Sequence, residues 1–392
     1  MAENNIKSMV GKVFNDIAEA MERGQFREKI KIGITTLGSE LGLDNIIEGA
    51  ELAQRRDNSI DVILIGPKID SQLTQVIANS EEESYKKMEE LLENDEIDAC
   101  ITMHYNFPIG TATVGKTPTP GMGREMFIAT TTGTAATDRI EAMIRNGING
   151  IVTAKAMGIH KPSIGILNLD GARQVEKAFK ELNNKGYKIN FVESSRVDGG
   201  AIMRGNDLLL GIPDIMITDT LTGNVLMKML SSYTTGGSYE SVGCGYGPGI
   251  GEDYDKIVLI LSRASGSPVV SNAISYGADL VRGRIKEIGK EEYKKANQAG
   301  LDDIVVKIKG ELQSREYEKE ITAPPAETVS EIIEGIDIME LDNAVEKLWE
   351  NNIYAESGMG CTGPIIMVSK EKLDKSIKVL ISEGYNINDP ER

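Results

Sequence analysis

The segment Ser262-Arg263-Ala264-Ser265-Gly266-Ser267-Pro268 joins an apolar run, Lys256–Ser262, to a stretch with helical apolar spacing, Ser267–Arg282. Hydroxyls, a guanidinium and the amides of a helix N-terminus together make a seat for an oxyanion. A serine-rich helix cap explains the serines but leaves Arg263 without a role, so Ser262, Arg263, Ser265 and Ser267 are candidate anion-binding residues. Asp219-Thr220-Leu221-Thr222-Gly223-Asn224 occupies a similar position, after the apolar run Ile215–Asp219 and before the helix-like Val225–Ser232. Thr222 and Asn224 are natural helix caps and also candidate substrate-binding residues. Asp219, at a strand end, can orient a polar substrate group and is a candidate catalytic residue. Both motifs are expected on the same carboxyl edge of a parallel sheet, where open α/β folds bind ligands.

The cysteines and histidines divide by context. Cys361 lies in Glu356-Ser-Gly-Met-Gly-Cys-Thr-Gly-Pro364, whose glycines give a thiol little steric cover. A reactive thiolate and an incidental free cysteine both fit such a loop. Cys100 sits in a strand pattern and reads as buried filler, while Cys244 is undecided. His104 ends a strand and is a better site candidate than His160, a turn residue; neither has an acidic or cysteine partner at metal-ligand spacing.

Two glycine-rich stretches need care. Gly110–Thr117 matches the phosphate-cradling GxxxxGKT pattern, but Pro118-Thr119-Pro120-Gly121 follows where a helix is required. It is expected to be a glycine- and threonine-rich loop bordering a site, without nucleotide binding. Gly243–Gly251 carries glycine at alternate positions. That spacing is not a dinucleotide fingerprint, and both a tight turn with positive φ and a close backbone approach to a ligand account for it.

The elements that must hold these residues alternate. Apolar runs at Ile30–Ile34, Asp61–Gly66, Asp98–Met103, Ser163–Asn168, Ile215–Asp219 and Lys256–Ser262 are separated by helical patterns at Asn45–Arg56, Glu81–Asn94, Ala136–Asn146, Ala172–Lys185 and Val225–Ser232. This predicts crossover units and mostly parallel sheets, an α/β class. Residues 4–27 read as an amphipathic helix. After residue 285 the chain becomes charged, Ala323-Pro-Pro-Ala326 is a linker, and a small α/β unit closes the chain. The predicted organisation is an N-terminal helix (1–28), a first α/β domain (29–160), a second carrying the Asp219 and Ser262 motifs (161–285), and a charged connector with a C-terminal unit carrying Cys361 (286–392).

The chain has 392 residues and a net charge of −17. An acidic surface excludes nucleic acid and anionic membranes as general partners. No apolar run reaches the ~18–20 residues of a membrane span. With three cysteines and two histidines, neither a disulfide framework nor a histidine-rich metal site is expected, and a reduced cytoplasmic setting follows.

Lys161–Asn168, Asn190–Glu193 and Ile212–Lys228, followed by a serine-rich loop after a strand, resemble the phosphate acyltransferase family over about residues 125–285. The resemblance implies two α/β/α halves around an inter-domain cleft. It also implies acyl transfer from a thioester to inorganic phosphate with no metal or redox cofactor. The C-terminal stretch Trp349–Ser369 and the N-terminal Lys31–Glu40 instead resemble the component C alpha subunits of glycine/sarcosine/betaine reductase complexes. That resemblance implies amino-acid fermentation, in which a selenoprotein, component A, carries a carboxymethyl selenoether. Component C converts it to an acetyl thioester, and phosphate releases acetyl phosphate. It also implies a thiolase-fold beta subunit as partner, and maps the family's reactive cysteine onto Cys361. Whether Cys361 or a beta-subunit cysteine carries the acetyl group stays open. So do two rival readings: a stand-alone phosphate acyltransferase using carrier-protein or coenzyme A thioesters, and a non-catalytic docking subunit.

Overall fold

The computed structural model describes residues 29–195, 200–317, 322–337, 340–360, 363–385 and 387. The helix expected over residues 4–27 lies outside them. The chain divides into two compact units, Met1–Val306 and Lys307–Arg392.

The first unit is built on one 12-stranded sheet. Its strands are β1 (Ile30–Thr35), β2 (Ile60–Gly66), β3 (Thr74–Ile77), β4 (Ala99–Thr102), β5 (Thr111–Pro118), β6 (Glu125–Thr134), β7 (Ser163–Leu167), β8 (Asn190–Phe191), β9 (Ile202–Met203), β10 (Ile215–Ile217), β11 (Gly247–Ile250) and β12 (Val258–Ile260). The helices are α1 (Leu43–Arg56), α2 (Glu81–Glu93), α3 (Arg139–Ala156), α4 (Ala172–Asn184), α5 (Gly205–Leu210), α6 (Thr220–Ser232), α7 (Ser267–Arg282), α8 (Ile285–Gln298) and α9 (Leu301–Tyr317), the last of which contains the division between the units. Strands with both faces covered read as continuous apolar runs: Ile32, Ile34, Val62, Ile101, Val258 and Leu259 are all buried.

The spatial strand order is β3-β2-β1-β4-β12-β11-β5-β6-β10-β7-β8, with β9 beside β7. β3, β2, β1, β4 and β12 form one parallel block. β6, β10, β7 and β8 form another. Between them β11 pairs antiparallel with both β12 and β5, and β5 antiparallel with β6. The two blocks therefore run in opposite directions. The two blocks belong to one sheet within one compact unit, and the first block is not a continuous stretch of sequence. The chain leaves the first block after β4, builds the second from β5 to β10, and returns through β11, so that β12 and α7 complete the first block.

The alternating glycines of 243–251 make this junction possible. Gly247 has φ +84, and a Cβ there would stand 1.8 Å from the Val114 carbonyl oxygen. Only glycine lets β11 lie this close to β5. The Gly110–Thr117 stretch is not the expected loop. It runs through β5, buried along nearly its whole length and hairpinned to β6, so no helix N-terminus follows Lys116.

The connector expected from residue 286 also starts later. α8 belongs to the first unit: Ile285, Tyr293 and Ala296 are buried, Tyr293 Oη donates to Asn149 Oδ1 on α3 (2.6 Å), and Lys155 of α3 pairs with the buried Glu292 (2.6 Å).

In the second unit β13 (Glu331–Glu334), β15 (Gly363–Val368) and β14 (Ala355–Gly360) form an antiparallel sheet in that order. α10 (Leu341–Glu350) and α11 (Leu373–Ser382) accompany it. Leu341, Val345, Leu348, Ile366, Val368 and Leu380 share one core. The stretch expected as a loop over 356–364 is largely two strands, paired up to Gly360–Gly363. Cys361 lies outside the described residues.

Candidate functional site

The oxyanion seat expected at Ser262–Ser267 sits where β12 ends and α7 begins. Asn45 of α1 clamps it: the Asn45 side-chain amide donates to the Ser265 carbonyl (2.9 Å), and its oxygen accepts the Ser267 amide (2.7 Å). α1 can reach the loop because it packs tightly on α7; a Cβ on Gly49 would lie 2.5 Å from Val270 Cβ. Beside the loop, Thr35 of β1 and Thr102 of β4 are hydrogen-bonded through their hydroxyls (2.9 Å).

The four predicted residues do different things. Ser262 Oγ accepts from Lys228 Nζ (2.8 Å) and from the Ala264 amide (3.2 Å). The Ser265 hydroxyl points inward and donates to Glu240 Oε2 (3.3 Å), so its proton is engaged within the protein. The Ser267 amide is taken by Asn45. Arg263 reaches outward to Glu81 (3.5 Å) with about half of its side chain exposed.

Asp219 does not share this edge. β10 and β12 belong to oppositely directed blocks, so the ends of these strands lie on opposite edges of the sheet, contrary to the sequence expectation. The helix between the motifs closes the distance. Asp219 starts α6, and Lys228 lies ~13 Å further along its axis at about 1.5 Å per residue. There it meets Ser262 and Glu240.

Asp219 is itself the cap of α6, accepting the Thr222 amide (2.7 Å); the capping expected of Thr222 and Asn224 falls to it. Arg139 donates to the same carboxylate from Nε (3.1 Å) and Nη2 (2.5 Å), and also reaches Asp170. Burial pushes the Asp219 pKa upward, but the Thr222 amide and Arg139 outweigh it and leave the pKa below the ordinary value. Asn224 donates to the Thr131 carbonyl (2.9 Å), tying α6 to β6.

Lys228, Glu240 and Asn45 were missed in the sequence. Lys228 carries a legible signal, being the one charged residue in Thr220–Ser232. Glu240 and Asn45 are remote in sequence and gather only through tertiary packing.

Cys100 is buried in β4, and burial pushes its thiol far above the ordinary range. Cys244 is also buried, its pKa raised to about 11 by desolvation against the opposing pull of Lys116. His104 is exposed and meets the Tyr85 ring edge-on at 6.2 Å. Among the described residues no group of His, Cys, Asp and Glu side chains could hold a metal ion, and no helix is long and apolar enough to cross a membrane.

A cavity of ≈ 530 Å³ lies apart from these residues, lined by Thr111, Thr137, Arg145, Glu252, Tyr254 and Tyr293 among others. Its cation, Arg145, is already held by Glu141, Glu252 and Asp302, and none of the predicted site residues that are described lines it.

Comparison with known proteins adds four findings. The profile of the family described as "Fatty acid synthesis protein" matches residues 30–367. The chain is 55% identical over 381 residues to the glycine/sarcosine/betaine reductase complex component C subunit alpha of Peptoclostridium acidaminophilum, covering 97% of this chain and 99% of that protein. It is 23% identical over 236 residues to a phosphate acyltransferase of Thermotoga neapolitana, covering 51% of this chain and 69% of that protein. Among solved structures, a branched-chain phosphotransacylase from Enterococcus faecalis V583 superimposes with a TM-score of 0.45 at 17% identity, covering 64% of this chain and 99% of that one.

Proposed function

The chain belongs to the fatty acid synthesis protein family and, within it, to the component C alpha subunits, and from that premise we propose that it forms acetyl phosphate from an enzyme-bound acetyl thioester and inorganic phosphate. A phosphate oxygen attacks the thioester carbonyl, the new C–O bond replaces C–S, and the sulfur leaves as thiolate or, once protonated, thiol. Such a reaction is accelerated by fixing phosphate against the carbonyl and by stabilising the oxyanion that develops there.

The observation that carries this reading is Ser262. Both of its acceptor positions are filled, by Lys228 and by the Ala264 amide, and no described group accepts its proton, which is available to a ligand. Arg263 adds a cation that can leave its exposed partner Glu81 at little cost, since such pairs contribute ~0–1 kcal/mol. Ser265 and Ser267 shape the loop from within, through Glu240 and Asn45. Asp219, Thr222 and Asn224 set the start and the anchoring of α6, which carries Lys228. Cys361 is proposed, from the family resemblance, as the thiol nucleophile or acetyl carrier.

The proposed partners are the beta subunit of component C and the selenoprotein component A, in a cytoplasmic complex. The test is phosphate-dependent loss of the acetyl thioester in the assembled complex, with acetyl phosphate as product. A complex that releases the acetyl group as acetate, at a rate indifferent to phosphate, refutes the proposal.

A further inference from the structure

The serine loop has a second cation beside it, and the fold builds a dedicated support for that cation. The Lys228 ammonium has three N–H groups. One donates to Glu240 Oε1 (2.7 Å) and one to Ser262 Oγ (2.8 Å). No described group takes the third, and the side chain is 48% exposed.

Glu240 is fixed on every side. Its amide donates to the Ala264 carbonyl (2.9 Å), and its carbonyl accepts the Gly266 amide (2.8 Å). Its second carboxylate oxygen accepts the Ser265 hydroxyl (3.3 Å), and the residue is 2% exposed. A buried carboxylate of this kind needs a counter-charge. That requirement alone would explain the Lys228–Glu240 pair. It would not explain why Lys228 is also bonded to Ser262, or why its remaining N–H lies beside a Ser262 hydroxyl whose proton no described group accepts. Two donors side by side, one of them cationic and half exposed, suit an anion that presents several oxygens.

We propose that Lys228 is a direct ligand of inorganic phosphate in this site and that Glu240 is the residue that positions it. The proposal rests on reading the Ser262 loop as a phosphate seat.

The test measures inorganic phosphate binding to the full chain by calorimetry, with no thioester present. Lys228→Gln should weaken binding by at least about ten-fold, as expected for a hydrogen bond to a charged group. Because that variant strands a buried carboxylate, the double variant Lys228→Gln/Glu240→Gln, checked for folding by thermal melting, removes both charges together. If Lys228 only neutralises Glu240, the double variant recovers wild-type phosphate affinity. If Lys228 is a ligand, the double variant stays as weak as the single one. Recovery in the double variant, unchanged affinity in the single variant, or no phosphate binding by the wild-type chain each overturns the proposal. Failure of the acyl-transfer reading looks different: phosphate binds and depends on Lys228, yet the assembled complex makes no acetyl phosphate.

Discussion

Asp219 accepts the backbone amide of Thr222 at 2.7 Å, and that bond makes an acidic residue at a strand end the cap of the helix behind it. Asp219→Ala should cost roughly 1–2 kcal/mol from the lost cap. Asp219→Asn, which can still cap, should cost less, losing mainly the interaction with Arg139. The folded pKa of Asp219 is lowered, so its charge stabilises the fold above the unfolded value of about 3.9 and ceases to do so as pH falls through the folded pKa. The melting-temperature gap between wild type and Asp219→Asn should therefore be full at neutral pH, narrow as pH falls past the ordinary carboxylate value, and close only below the lowered folded pKa. A gap independent of pH would mean that the charge contributes nothing.

Arg263→Ala should raise the apparent KM for phosphate several-fold and leave thermal stability nearly unchanged, because the pair it loses with Glu81 is exposed on both sides. Steady-state kinetics of the assembled complex at varied phosphate decide the point. An unaltered phosphate dependence removes Arg263 from the site.

Much of the architecture was readable from the residues. Apolar runs such as Asp61–Gly66 and Lys256–Ser262 declared buried parallel strands, and the helices between them fell close to where their spacing put them. Strand direction was not readable. That the Asp219 and Ser262 loops leave opposite edges depends on β5 and β11 running antiparallel through the middle of the sheet. β5 was hidden because its Gly110–Thr117 sequence mimics a phosphate loop, with threonine hydroxyls that are satisfied inside: Thr113 meets Thr131 at 2.6 Å. The site was half legible. The serines and the arginine of the proposed seat stand after a strand as their sequence indicates, but Glu240 joins them only because its backbone pairs with the loop.

Gly247→Ala should destabilise the protein by roughly 2–4 kcal/mol, combining left-handed backbone strain with a clash at the β5 carbonyl. Gly237 also has positive φ, +85, but open space around it, so Gly237→Ala should cost only about 1–2 kcal/mol. Urea midpoints of the two variants test the contrast; equal losses would mean that the β11–β5 junction has room to relax.

Because Lys116 sits within a β-strand and not before a helix, neither ATP nor GTP should bind. Saturable micromolar binding of either nucleotide by calorimetry would contradict this.

Limiting iodoacetamide at neutral pH should leave Cys100 and Cys244 unlabelled in the folded chain, since both are buried with raised pKa values. Cys361 should label first, and Cys361→Ser should abolish acetyl phosphate production while leaving the complex assembled. Peptide mass spectrometry showing Cys100 as the preferred site, or full activity of Cys361→Ser, would move the thiol chemistry to a partner subunit.

The most direct measurement follows inorganic phosphate into acetyl phosphate by phosphorus NMR in the assembled complex, comparing wild-type and Ser262→Ala chains. The account predicts that acetyl phosphate forms with the wild-type chain. It also predicts a fall of at least about ten-fold with Ser262→Ala, as for loss of one donor to a developing oxyanion or its nucleophile, with assembly intact. Acetyl phosphate formed at an undiminished rate by the Ser262→Ala complex would contradict it.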